Sequence, residues 1–241
     1  MTIDSSFDIN KEGLAKALAV LERNFSSDDC EDLPPSLPET GVGELATLER
    51  LAPLVLGKAA RLDSPIASAH MDPPTPWITW AISLWDARLN QNLLHPATSP
   101  FAHKAESTLI DWMSPFYGMS GGHMTPGSSL ANLTALWAAR DIAGVNRVVA
   151  SSSAHISIAK SANILGLEFE TRPVDTQDRL SVDVLGDLSN ACLVLTAGTT
   201  GTGAIDPLHL TASPAWTHVD AAWGRGTAGV FQRLQRPVKG H

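Results

Sequence analysis

The sequence is poor in cysteine, poor in charged residues and free of long apolar runs. The two cysteines, Cys30 and Cys192, are far apart in sequence and give neither a disulfide framework nor the paired spacing of a zinc site, so no metal centre is predicted. Charged residues make up 17% of the chain, and the net charge of −8 is a poor match to a nucleic acid. No stretch reaches the roughly 18 apolar residues of a membrane-spanning helix. The N-terminus lacks the basic and apolar regions of a signal peptide, which makes the cytoplasm the expected location.

The residue pattern changes near Gly118. Before it, apolar residues at helical spacing predict helices over 11–25, 43–58, 77–89 and 101–116, with a proline-rich loop at 63–76. After it, strands at 146–151, 167–172, 191–196 and 216–220 alternate with predicted helices at 128–142, 155–165 and 181–188. This alternation predicts an α/β fold with a mainly parallel sheet covered on both faces. Ligands of such folds bind beyond the carboxyl ends of the strands.

Two motifs follow loops that lead into helices. In the first, at 125–132, Gly127 allows close backbone approach, and Ser128 and Ser129 add hydroxyls to a helix start that could bind phosphate. A plain serine helix cap is the alternative. In the second, at 153–160, His155 could stack on a planar ligand or be a structural histidine. Ser157 and Lys160 also have the serine–lysine spacing of acyl-transfer enzymes, but the companion motifs of those enzymes are absent.

Two further motifs follow apolar strands. The segment 195–203 is rich in glycine and threonine, so Thr199 and Thr200 could face a ligand, and an ordinary strand exit fits equally well. It lacks the ending of an ATP-binding P-loop. The strand at 216–220 ends in Asp220, a carboxylate that is costly to bury unless a cation, such as a protonated pyridine nitrogen, meets it. His218 and Asp220 could instead be metal ligands, but no third ligand has a convincing spacing.

The order of these four motifs resembles that of the group II pyridoxal 5′-phosphate (PLP)-dependent amino-acid decarboxylases. The resemblance runs from about His70 to Gly224 and includes the loop 70–76. It implies a three-layer large domain of the aspartate aminotransferase type with a mainly parallel sheet, incomplete here and preceded by N-terminal helices. The expected domains are an N-terminal helical and proline-rich segment (1–76), a partial PLP-binding domain (77–224) and a tail outside the family (225–241).

The resemblance also implies a role for individual residues. His155, which stacks on the ring, and Asp220, which pairs with the ring nitrogen, would be catalytic. Lys160 is not the lysine that forms the Schiff base. The cofactor site would further contain a phosphate anchor of Gly127, Ser128 and Ser129, together with Thr200, His218 and Ala222. The substrate would be an amino acid that the sequence does not specify, with acidic amino acids, diaminobutyrate and aromatic amino acids all open, and it would lie beside Asp72, Pro73 and Thr75.

The sequence departs from the family after Gly224. The family's Schiff-base lysine follows a histidine some tens of residues later, whereas the one lysine here, Lys239, has no histidine before it. We therefore expect a truncated chain that is inactive by itself. The resemblance implies that complete members of the family act on amino acids as homodimers. The alternatives are a non-catalytic PLP-binding or dimer-forming protein, and another PLP enzyme such as an aminotransferase or lyase, since these folds share the same parts.

Overall fold

The computed structural model of the protein describes residues 8–25, 33–34, 36, 39–67, 74–209 and 212–224. The chain forms two compact units, Met1–Asn90 and Gln91–His241. All strands of the described residues lie in the second unit, together with every residue assigned above to the cofactor. The predictions for His70, Asp72 and Pro73, and for the tail from residue 225, fall outside the described residues.

The described part of the first unit contains three helices: α1 (Lys11–Val20), α2 (Glu44–Gly57) and α3 (Trp77–Leu89). The carboxamide of Asn10 caps α1 by accepting a hydrogen bond from the Gly13 N–H at 2.8 Å. Helix α1 is shorter than the predicted helix over 11–25, because i to i+3 hydrogen bonds replace the helical ones after Val20. Most apolar side chains of these helices are exposed, so this unit has little core of its own.

The second unit is built around a four-stranded parallel sheet. Its strands lie in the order β2-β1-β3-β4, and all three neighbouring pairs are parallel. The predicted α/β fold with a parallel sheet is therefore confirmed, and each strand lies within one residue of its predicted bounds. The elements are α4 (Pro100–Tyr117), α5 (Ser128–Ala143), β1 (Arg147–Ser151), α6 (Ile156–Leu165), β2 (Glu168–Arg172), β3 (Ala191–Thr196) and β4 (Trp216–Asp220).

Helices α5 and α6 cover one face of the sheet. Leu136 of α5 and Ile158 of α6 pack against Val148 of β1 and Val194 of β3, and all four side chains are fully buried. Trp216 at the start of β4 packs against the same cluster. Because side chains alternate along a strand, residues 218 and 220 also lie on the face that α5 and α6 cover.

The opposite face is covered by a loop rather than by the predicted helix over 181–188. Within that range only Val182–Val184 forms a single 3₁₀ turn. Gly186 has a φ of +69°, a left-handed conformation that ends any helix passing through it. Leu185 and Leu188 nevertheless reach the second core cluster, which also contains Val149 of β1. The helix prediction was therefore wrong, while its apolar residues do cover the sheet.

The described residues contain neither a membrane-spanning helix nor a cluster of metal-ligating side chains. No helix in this part of the chain is long and apolar enough to cross a membrane. Nor do three or more His, Cys, Asp or Glu side chains come together there in a way that could hold a metal ion. These residues therefore offer no third ligand for a metal bound by His218 and Asp220.

Candidate cofactor site

Strand β4 ends in Asp220, a buried carboxylate whose recorded partners are neutral. Its side chain is next to Thr196 in the sheet register, and the residue is 7% exposed. Oδ2 accepts a hydrogen bond from Nδ2 of Asn132 at 2.9 Å, and Oδ1 accepts one from the backbone N–H of Ala222 at 3.1 Å. No ion pair among the described residues includes Asp220. A carboxylate in this position favours a cationic ligand.

His218 contacts the same asparagine from the same face of the sheet. Its Nε2 lies 2.8 Å from Oδ1 of Asn132. Because an amide oxygen only accepts hydrogen bonds, Nε2 carries the proton. Burial lowers the pKa of His218, and the charge of Asp220 opposes that change less strongly. The ring is therefore neutral at pH 7 and donates to Asn132.

His155 is the residue that caps the start of α6. Its Nδ1 accepts a hydrogen bond from the backbone N–H of Ser157 at 3.2 Å and lies 2.8 Å from the Ser157 hydroxyl. That hydroxyl accepts an N–H of Asn132 at 2.9 Å, so its own proton can point to Nδ1. The proton of the neutral His155 ring is then on Nε2. The residue is exposed, which leaves the ring accessible to a ligand.

The Ser157-x-x-Lys160 spacing does not produce a lysine-activated serine. Ser157 is 4% exposed and its hydroxyl is engaged by Asn132 and His155. Lys160 lies on α6 as an exposed residue, and no hydrogen bond between the two side chains occurs. The geometry therefore gives no support to acyl-transfer chemistry at this motif.

Helix α5 begins with an exposed segment suited to an anion. Gly127 is the N-cap residue, so no serine side chain caps the helix. The first intrahelical bond runs from Ala131 N–H to the Gly127 carbonyl, which leaves the preceding N–H groups, those of Ser128, Ser129 and Leu130, without intrahelical acceptors. A Cβ added to Gly127 would meet no protein atom within 4 Å, so there is open space for a ligand. The serine-cap alternative is thus not realised.

Thr200 and Thr199 point to different environments. Thr200 is exposed and lines a cavity of about 410 Å³ together with Gly198 and Trp223. Gly198 has a φ of +107°, and a Cβ there would lie 3.1 Å from the Trp223 Cβ, so this turn requires glycine. Thr199 is buried and its hydroxyl accepts the Ala204 N–H at 3.1 Å. Both threonines border this cavity, and of the two Thr200 is the exposed one.

A cluster around Asp178 holds the Gly-Thr loop, and sequence reasoning missed it. Asp178 has a φ of +61° and accepts hydrogen bonds from Ser153, from Thr199 at 3.3 Å and from Thr202 at 2.6 Å. The Ser153 hydroxyl is the largest cause that lowers the pKa of Asp178, followed by that of Thr202. Three hydroxyls therefore satisfy this carboxylate, unlike that of Asp220.

Asn132 is the other residue that sequence reasoning passed over. It is the last residue of the first motif, at 125–132, and the motif assigns no role to it. Its position four residues before Leu136 and seven before Ala139 places it on the buried stripe of α5. An asparagine on an otherwise apolar stripe was the available signal. The partners of its amide lie on β4 and α6, which the spacing within one helix does not reveal.

A parallel α/β sheet with helix starts and polar side chains at its carboxyl edge defines a class of ligand-binding α/β domains. The chain belongs to the family described as "Pyridoxal-dependent decarboxylase conserved domain", which matches residues 30–235. The resemblance drawn from the motifs is thereby confirmed, and the matched range is wider than His70–Gly224. The cofactor of this family is pyridoxal phosphate, as the motifs implied. The predicted domain boundaries stay predictions.

Two proteins that are similar in sequence to this chain carry the names of decarboxylases. The chain is 34% identical over 236 residues to the L-2,4-diaminobutyrate decarboxylase of Rhizobium meliloti (strain 1021), with 87% of this chain and 47% of that protein covered. It is 30% identical over 229 residues to the L-2,4-diaminobutyrate decarboxylase of Acinetobacter baumannii, with coverages of 76% and 45%. The chain thus spans about half the length of the curated relatives it matches.

A solved structure shows the same fold. It is the glutamate decarboxylase domain of diaminobutyrate-pyruvate transaminase and L-2,4-diaminobutyrate decarboxylase from Vibrio parahaemolyticus. The TM-score is 0.76 at 22% sequence identity, and the alignment covers 93% of this chain and 60% of that one. At this identity the likeness supports the fold and not the roles of single residues.

Proposed function

We propose that this chain binds PLP at the carboxyl edge of its sheet and supplies the cofactor-binding part of an L-amino-acid decarboxylase. The observation that carries the proposal is the buried carboxylate of Asp220, which has only neutral partners among the described residues. Burying a carboxylate in this way is unfavourable unless a cation pairs with it. A protonated pyridine nitrogen is such a cation, and its N–H would donate a charge-assisted hydrogen bond to Asp220.

The start of α5 fits the phosphate end of the same ligand. The N–H groups at Ser128 and Ser129, together with the helix dipole, favour a phosphate dianion. The open space at Gly127 allows that group to approach the backbone. Asn132 lies one turn further along this helix and bonds to Asp220. A single rigid helix therefore supports both the anion site and the cation site.

The remaining predicted residues would border the ring. When bound, PLP supplies an electron-accepting ring for the charge left on the amino acid's α-carbon as CO₂ departs. Asp220 would hold the proton on the ring nitrogen, because a neighbouring carboxylate favours the charged form of a base. His155 would lie against the ring face with its Nε2–H free to donate. Thr200 and Ala222 would line the site from the two loops that follow β3 and β4.

L-2,4-Diaminobutyrate is the first substrate to test, because the two relatives described above carry that name. Thr75 remains a candidate for the substrate side, together with Asp72 and Pro73. Thr75 is exposed, and its hydroxyl accepts a hydrogen bond from Nε1 of Trp80 at 3.0 Å. We further propose a homodimer in the cytoplasm, as the resemblance to the family implies.

A second candidate is a chain that binds PLP without catalysis of its own. The observation that favours it is a pair of non-covalent anchors: the free N–H groups at the start of α5 and the buried carboxylate of Asp220. Without a Schiff base to a lysine, the phosphate site and Asp220 would provide the affinity. The two candidates therefore agree on where the cofactor binds and differ on whether a lysine of this chain reacts with it.

The experiment is an absorbance titration of the chain with PLP, followed by borohydride and by a CO₂-release assay with L-2,4-diaminobutyrate. Asp220→Asn should weaken PLP binding at least about tenfold, because it removes the charge that favours the protonated ring. The matched control is Asp183→Asn, since Asp183 is exposed and forms no recorded side-chain bond.

Equal PLP affinity in Asp220→Asn and the unaltered chain would contradict the proposed site. CO₂ release together with a reduced adduct that maps to one lysine would favour the decarboxylase. Tight PLP binding with neither of these results would favour the second candidate.

A further inference from the structure

Asn132 is a buried polar residue in a place where an apolar one would pack. It is 3% exposed, and Leu136 and Ala139 on the same stripe of α5 are fully buried. Burying an amide is unfavourable unless its hydrogen bonds are made. The stripe itself gives no reason for a polar side chain, so the reason lies in what the amide contacts.

The Asn132 amide makes three side-chain hydrogen bonds to three different residues. Nδ2 donates both its protons, to Oδ2 of Asp220 and to the Ser157 hydroxyl, each at 2.9 Å. Oδ1 accepts from Nε2 of His218 at 2.8 Å. Rotating the amide by 180° would set its oxygen against the Asp220 carboxylate. The orientation is therefore fixed by charge as well as by geometry.

The chain of hydrogen bonds continues from Ser157 to His155. Because the Ser157 oxygen accepts from Asn132, its proton can donate to Nδ1 of His155 over 2.8 Å. Asn132 thus connects Asp220 on β4 with His155 at the start of α6. These are the two residues that would meet the ring nitrogen and the ring face.

We propose that Asn132 is the positioning residue of the cofactor site, which sets the carboxylate of Asp220 and, through Ser157, the ring of His155 in one arrangement. This inference rests on the proposed function, since it concerns how the same site is held. The side-chain amide of Asn132 bonds to Asp220, Ser157 and His218. Its effect on the cofactor passes through Asp220 and His155.

The test compares three variants by titration with pyridoxamine 5′-phosphate, which carries the same ring and phosphate and needs no lysine to bind. Asn132→Leu keeps the volume and removes all three hydrogen bonds. Asn132→Asp keeps the shape and the acceptor for His218 but replaces the donor that faces Asp220 with an anion. The matched control is Asn163→Asp, the same chemical change at an exposed position of α6.

We expect both Asn132 variants to bind pyridoxamine 5′-phosphate at least about tenfold more weakly, and the control to be unchanged. A double-mutant cycle separates positioning from a general loss of structure. In an Asp220→Ala background, Asn132→Leu should weaken binding by a smaller factor than in the unaltered chain, because only its effect through Ser157 and His155 remains. Circular dichroism of each ligand-free variant at the assay temperature checks that it is folded.

The two proposals fail in different ways. If the unaltered chain binds no pyridoxamine 5′-phosphate, the proposed function and this inference are both overturned. If it binds, but Asn132→Leu binds equally well or loses the same factor with and without Asp220, only the positioning role is overturned. If Asn132→Leu is unfolded, the folded Asn132→Asp variant and its cycle with Asp220→Ala decide in the same way.

Discussion

Asp206 and Asp220 are both buried at the carboxyl edge of the sheet, yet their partners differ. Asp206 is 2% exposed and accepts the backbone N–H groups of Leu180 and Thr196, each at 2.7 Å. Asp220 is 7% exposed and accepts one side-chain amide proton and the N–H of Ala222, two residues further on. Asp206 joins two backbone segments that are distant in sequence, and Asp220 joins none.

The difference shows how one residue type serves the fold in one place and a ligand in another. Burial raises the pKa of Asp206, and its two backbone hydrogen bonds oppose that change. Those bonds anchor the loop after β2 to the end of β3. Asp220 accepts one backbone N–H, that of Ala222 two residues further on, and so anchors no distant segment. Its burial is better explained by a charge that it must meet.

The largest expected effect is on stability, and it separates the two aspartates. Asp206→Ala should lower the free energy of unfolding by about 3 kcal/mol, because it leaves two buried N–H groups without acceptors. Asp220→Asn should lower it by a smaller amount, because the amide keeps one of the two acceptors and a buried charge is removed. Urea denaturation of the ligand-free chain, with Asp183→Asn as control, measures both. Equal losses would remove the distinction.

A smaller effect is expected from the cluster that holds the Gly-Thr loop. Asp178→Ala removes the acceptor shared by Ser153, Thr199 and Thr202. Because Asp178 is only partly buried, the Tm should fall by less than half of the decrease seen for Asp206→Ala. PLP affinity should fall as well, since the turn that presents Thr200 loses its support. Differential scanning fluorimetry with and without PLP checks this, and an unchanged PLP-induced shift would contradict it.

The smallest effect concerns His218 and pH. Burial lowers the pKa of His218 in the folded state below the value of about 6.5 expected when unfolded. At a pH between the two pKa values, the unfolded chain then binds more protons than the folded chain. The contribution of His218 to the free energy of unfolding is therefore complete above about pH 6.5 and declines as the pH falls toward the folded pKa. His218→Gln should flatten the stability curve in that range, measured by urea denaturation from pH 7.5 downward.

The matched control for the pH experiment is His123→Gln, since His123 is exposed. This control should keep the decline of the unaltered chain below about pH 6.5. If His218→Gln shows the same decline as the control, then another group is responsible for it.

The sequence sufficed for the sheet and failed where long-range contacts decide. Strands β1 and β3 are continuous apolar runs between turn signals, which is typical of buried parallel strands. The apolar spacing over 181–188 predicted a helix in the same way, but the left-handed conformation of Gly186 ends any helix there. Asn132 escaped notice because its partner Asp220 lies 88 residues further along the chain. Only packing of α5 against β4 brings the two together.

The motifs predicted the cofactor but did not predict the direction in which each side chain points. Thr199 and Thr200 are adjacent in a glycine-rich turn, and sequence treated them alike. In the structure Thr199 binds Asp178, whereas Thr200 faces a cavity. Gly198, just before them, has a φ of +107°, and a Cβ at that position would lie 3.1 Å from the Cβ of Trp223.

The central claim is that Asp220 pairs with a protonated ring nitrogen. The most direct measurement is the ¹⁵N chemical shift of ring-labelled PLP bound to the unaltered chain and to Asp220→Asn. The account predicts a protonated nitrogen on the unaltered chain at neutral pH and an unprotonated one on the variant. A nitrogen that is unprotonated on both, or protonated on both, would contradict it.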